Sequence, residues 1–186
     1  MLIVEWIALL FGVISAVLTI RARVSCWWTG IISLLGFVYI LGSKRVYGDM
    51  CIQIFFILQS IQGWWKWHKA NKDDSLPITY LGSLYIYPQI TAWLVVMWIL
   101  YRIGGSIPMF DAGLVIFSVM ANTLCVYKKI ENWYYWILID VLHIGMFSYQ
   151  GLYTSALTYA LFLIIAIFGL REWNRSTEDD GQNYLA

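Results

Sequence analysis

Residues 51–67 read CIQIFFILQSIQGWWKW, and residues 157–173 read LTYALFLIIAIFGLREW. Each is an apolar run closed by the same punctuation, Gly63-x-x-x-Trp67 in one and Gly169-x-x-x-Trp173 in the other, 106 positions apart. Carried outward without a gap, that shift sets Phe11 on Phe117, Leu18 on Leu124, Trp27 on Trp133, Tyr47 on Tyr153 and Phe56 on Phe162. The matches run through three apolar spans on each side, so the reading is an internal duplication of a three-span unit.

The full pattern holds seven apolar spans: 2–20, 24–41, 50–67, 78–101, 112–127, 133–149 and 155–170. Each approaches the ~20 residues that a helix needs to cross hydrocarbon. Of the 186 residues 61% are hydrophobic and only 12% charged, where soluble domains carry about 25% charge. The bilayer is the expected solvent, and the expected class is an all-α integral membrane protein. A net charge of +1 gives nucleic acid no purchase. No basic n-region precedes the first span, which is read as a retained helix and not a signal peptide. Cys26, Cys51 and Cys125 form no CxxC pair, so neither a disulfide framework nor a metal site is expected, and nothing suggests a cofactor.

An odd number of spans per repeat needs a further span to bring the chain back, so that both units point the same way. The plan is two parallel three-helix repeats joined by one linking helix, 3+1+3, with a solute path near the pseudo-two-fold axis. Its expected divisions are 1–70, 71–106, 107–175 and a solvated, frayed tail at 176–186. Loops after spans one, three, five and seven hold nine of the twelve basic residues, against Lys44, Arg45 and Arg102 on the other side. Basic residues stay on the cytoplasmic side, so the N-terminus is expected outside and the C-terminus inside.

Asp140 carries the most chemical information, because a carboxylate in mid-span costs at least ~2.5 kcal/mol on insertion scales and must face the bundle or water. Trp133, Trp136 and His143 share its helix face. Packing of Asp140 against His143 is the bland alternative. Most tryptophans near span ends read as an interfacial belt, Trp28 among them. Trp64 and Trp67, on a face with Gln53 and Ser60, are set apart with Trp133 and Trp136 as the walls of an aromatic cage around the carboxylate. Such a cage suits a flat organic cation. Gln53 and Asn122 are candidate ligand contacts, with simple interhelical hydrogen bonding as the alternative. No GxxxxGK[ST] loop is present, so the chain is not expected to hydrolyse ATP, nor to act as an enzyme.

Gln53-x10-Trp64-x2-Trp67, the stretch Ile130-Glu131-Asn132-Trp133-x2-Trp136-x3-Asp140 and the following Gly151-Leu152-Tyr153 resemble the Pnu vitamin transporters. The likeness runs from span one to Trp173. It implies a 3+1+3 fold similar to the sugar-transporting SWEET proteins, and a homotrimer in the bacterial inner membrane. It also implies facilitated diffusion of a dephosphorylated vitamin that a cytoplasmic kinase traps downstream without stable binding. Nicotinamide riboside carriers of this family commonly have Asn where Asp140 stands here and often Asn at Ser60. On that departure thiamine is ranked first and nicotinamide riboside second. A sugar transporter ranks lower, because Pro77, Pro88 and Pro108 leave both repeats without proline hinges. A binding subunit for a separate ATPase ranks lower too, because no docking surface is recognisable.

Overall fold

In the computed structural model the described residues are 1–73, 76–81, Thr91, Val95, Trp98 and 109–183. They form six α-helices: α1 Leu2–Ile20, α2 Ser25–Ser43, α3 Tyr47–Asp73, α4 Met109–Val126, α5 Glu131–Tyr149 and α6 Tyr153–Asn183. None of the six contains a proline, so nothing interrupts their i→i−4 hydrogen bonds. Leu2–Ile20, Ser25–Ser43 and Tyr153–Glu178 are long and apolar enough to cross a membrane, and 113–126 is a shorter apolar stretch. α3 and α5 are diluted by Gln53, Gln59, Ser60 and Asp140, which turn to the cavity or to neighbouring helices and not to lipid. The outside is apolar: Ile3, Trp6, Leu58, Leu157 and Phe168 are all well exposed, a surface that suits lipid chains and not water.

The 106-residue offset survives in the backbone. α2 and α5 begin and end at matching positions, as do the starts of α3 and α6. The residue after each α1-type helix is followed by one in the left-handed region, Ala22 (φ 48°) and Lys128 (φ 51°), and Arg45 (φ 59°) and Gly151 (φ 73°) match after the α2-type helices. Each turn closes with the same hydrogen bond. The Arg23 N–H donates to the Leu18 carbonyl at 3.1 Å and the Lys129 N–H to that of Leu124 at 2.9 Å. Such six-to-one bonds satisfy carbonyls that a helix end leaves orphaned.

Each helix packs on its chain neighbour, α3 touches α4, and α6 returns to α1, so the six make a closed ring. The best-buried cluster sits at one end of that ring, where α1 turns into α2 and α4 into α5. It holds Trp27, Trp67, Trp133 and Trp173 with Cys26, Cys125, Val126 and Ile130. Trp27 meets Trp67 edge-on at 5.2 Å, and Trp133 meets Trp173 edge-on at 5.5 Å. Gly63 and Gly169 are glycine for a packing reason. A Cβ at Gly169 would lie 2.5 Å from the Trp133 ring, and one at Gly63 would run into Trp27 in the same way.

Two expectations change. The hydropathy reading starts span four as helix at Ile78, but residues 76–81 are extended. Thr79 forms a parallel bridge with Lys129, and the Leu81 N–H donates to both Glu131 carboxylate oxygens at 2.8 Å. The Thr79 carbonyl, which a helix starting at Ile78 would use for one of its first i→i−4 bonds, instead accepts from the Ile130 N–H at 3.1 Å. The rest of the linking span lies outside the described residues, apart from Thr91, Val95 and Trp98, which are helical. The reading also expects a frayed tail from residue 176, whereas α6 stays helical to Asn183. The Asn174 side chain accepts from the Tyr80 hydroxyl at 3.0 Å, which fixes the first turn beyond Trp173.

Candidate functional site

The ring of helices encloses a cavity of about 370 Å³ to which all six contribute. That is within the size range of small-molecule sites. Seven of the nine residues chosen from the sequence line it: Gln53 and Ser60 on α3, Asn122 on α4, and Trp133, Trp136, Asp140 and His143 on α5. The spacing of the last four explains their convergence, since steps of three and four keep a helical face.

Asp140 is 4% exposed and, among the described residues, has no hydrogen-bond or salt-bridge partner. It does not pair with His143. The His143 Nδ1 lies 3.0 Å from the Ile139 carbonyl oxygen, and the ring stacks on Tyr159 at 4.2 Å with 6° between planes. Asn122 makes the interhelical hydrogen bond named as its alternative and also faces the cavity. Its Nδ2 donates to Gln59 Oε1 at 3.0 Å, Gln59 Nε2 donates on to Thr123 Oγ1 at 2.9 Å, and the residue still borders the cavity. Ser60 donates to its own helix, to the Phe56 carbonyl at 2.8 Å. Among the described residues the wall therefore offers acceptor oxygens, an indole face and one carboxylate, and no Lys or Arg.

Trp64 and Trp67 are not on that wall. Trp67 continues the Gln53–Ser60 stripe two turns further on, roughly 10 Å beyond Ser60, where the helices have closed together and the side chain is fully buried in the floor. Trp64 stacks on His68 and meets Trp28 edge-on, at 5.5 and 5.4 Å. Tyr159, Phe162 and Trp27 do line the cavity and were not singled out. The duplication held the signal for two of them, because at an offset of 106 Tyr159 and Trp27 answer to Gln53 and Trp133, while Phe162 answers to Phe56, which lines the cavity too.

Residues 2–175 match the family described as nicotinamide mononucleotide transporter. The chain belongs to this family. Curated relatives carry the name nicotinamide riboside transporter PnuC. That of Escherichia coli K12 is 23% identical over 98% of this chain and 90% of its own length. That of Haemophilus influenzae is 24% identical over 92% and 80%, and that of Neisseria mucosa 20% identical over 91% and 71%. The crystal structure of the vitamin B3 transporter PnuC matches with a TM-score of 0.76 at 18% identity, over 95% of this chain and 82% of that one, which carries the fold. The protein is thus a helical membrane transporter for a small vitamin-type solute. The relatives do not support thiamine as the first choice, and they fit the second-ranked nicotinamide riboside better.

Proposed function

We propose that this chain carries nicotinamide riboside across the bacterial inner membrane by facilitated diffusion, binding it in the cavity between the two repeats. One observation carries the reading: a buried carboxylate, Asp140, borders an apolar cavity beside the Trp136 indole and has no partner among the described residues to neutralise it. A desolvated charge in that position calls for a counter-charge, and a pyridinium ring supplies one on a flat frame that stacks on indole. Thiamine is also cationic and aromatic, so the site alone leaves both, and the relatives' names put the pyridinium nucleoside first. The phosphorylated mononucleotide fits less well, because its phosphate would meet Asp140 with no Lys or Arg among the described residues of the wall to offset the repulsion.

The connectivity supports the 3+1+3 plan. Trp67 near the end of α3 contacts the last residue of α4, so α3 finishes at the end of the ring where α4 also finishes. The intervening chain has to cross back, and this is the role of the linking span. The basic residues at that end support a cytoplasmic side for it. Calorimetric titration of nicotinamide riboside, thiamine and nicotinamide mononucleotide into the purified protein tests the substrate. Binding in that descending order is expected, and tighter binding of thiamine than of nicotinamide riboside would reverse the choice.

A further inference from the structure

The floor of the cavity is built from side chains that cross between the repeats. The Trp67 Nε1 of the first repeat donates at 3.1 Å to the carbonyl of Val126, the last residue of α4 in the second. The Trp173 Nε1 of the second donates at 3.0 Å to the carbonyl of Ile20, the last residue of α1 in the first. Val126 and Ile20 are themselves 106 residues apart, so the two bonds are copies of one bond related by the pseudo-two-fold axis. The Trp67 and Trp173 rings lie 6.4 Å apart and are both fully buried. Each indole satisfies a terminal carbonyl that its own helix cannot.

A second pair of groups argues that this arrangement is one of two states. The Nε1 atoms of Trp27 and Trp133, again 106 residues apart, are buried without a hydrogen-bond partner. A lone orphan donor is uncommon in a folded protein. Two at equivalent positions, each edge-on to a clasping indole, are symmetric donors without a partner among the described residues, which a rearranged floor could satisfy. The closed state is held by the two indole donors, that of Trp173 shared with the Thr19 carbonyl at 3.2 Å, and burdened by two orphans, which suits a contact that has to open.

We propose that Trp67 and Trp173 carry out the opening step of transport. They form a reciprocal clasp that seals the cavity at the α1–α2 and α4–α5 turn end, and both indole bonds release when the repeats move apart to expose the site on that side. The proposal rests on the cavity being the transport path, not on which vitamin fills it. A clasp also accounts for the crossing. If each tryptophan bonded within its own repeat, the bonds would survive any motion of one repeat against the other and could seal nothing.

The chain holds its own reporters, since Cys26 and Cys125 line the cavity next to the floor, whereas Cys51 is exposed. In a Cys51→Ser background, sealed vesicles of both orientations are treated with a membrane-impermeant maleimide, and labelling is mapped by mass spectrometry. With both tryptophans present, Cys26 and Cys125 are expected to label more slowly from the turn end than from the opposite end. Trp67→Phe combined with Trp173→Phe keeps ring bulk but removes both donors, and should raise labelling from the turn end at least tenfold. Trp28→Phe, on the exposed surface, should change nothing. A folded double variant with unchanged turn-end labelling overturns the clasp, and a purely structural role for the indoles predicts that result. Should the double variant not fold, the sidedness with both tryptophans in place still decides, because faster labelling from the turn end also overturns it. No vitamin is needed in the assay, so failure to bind nicotinamide riboside would sink the substrate reading and leave this one standing.

Discussion

Replacing Asp140 with Asn should move stability and affinity in opposite directions. The carboxylate is buried at 4% exposure with no protein donor among the described residues, so the empty transporter bears its desolvation without compensation. Unsatisfied buried polar groups cost about 1–3 kcal/mol, and more when charged. Asp140→Asn removes the charge and keeps the shape, so the empty protein should gain on the order of 1 kcal/mol and melt at higher temperature. The bound state loses a charge-assisted contact with the cation, and such contacts contribute about 1.5–3 kcal/mol. That converts to a dissociation constant roughly tenfold to a hundredfold weaker. Thermal unfolding in detergent, without and with nicotinamide riboside, reads both effects from one preparation. A variant that melts lower than the parent when empty would show that Asp140 has a partner, and one that binds equally well would remove Asp140 from the site.

Trp136→Ala should weaken binding by an amount comparable to Asp140→Asn, through lost stacking with the pyridinium. Trp28→Ala, at the lipid-facing surface, should leave affinity within error in the same titration, and equal losses at both would mean that the cage is a belt. Gly169→Ala should lower the unfolding temperature by an amount worth about 1–2 kcal/mol. Overpacking against the Trp133 ring costs up to about 3 kcal/mol, and the better helix propensity of Ala returns about 1; a stabilised variant would refute the packing role given to this glycine. A C-terminal reporter active only in the periplasm should stay silent, and activity would invert the proposed orientation.

The duplication was legible because it is written in residues that have one job. Gly63 and Gly169 admit the Trp27 and Trp133 rings, no other side chain would fit there, and so the punctuation is preserved in both copies. The α5 face was legible for a similar reason: a charge in an apolar span has few places to go, and Asp140 led to Trp133, Trp136 and His143. Face logic failed at Trp67. Helical spacing gives the angle around an axis but not where along it the neighbouring helices close together, so a residue on the right stripe fell in the floor. Trp64 failed because a surface stack with His68 and Trp28 leaves no periodic trace. The extended segment at residues 76–81 was hidden because its partners, Lys129 and Glu131, are some fifty residues away.

The central claim is that the cavity between the repeats passes nicotinamide riboside without an energy source. Its most direct test is flux into liposomes that contain the purified protein and have no proton, sodium or nucleotide gradient. Labelled nicotinamide riboside should enter until its internal and external concentrations are equal. At low substrate, initial rates should fall at least tenfold in Asp140→Asn and Trp136→Ala. Absence of uptake in the unmodified protein, or accumulation above equilibrium when a proton or sodium gradient is imposed, would contradict the account.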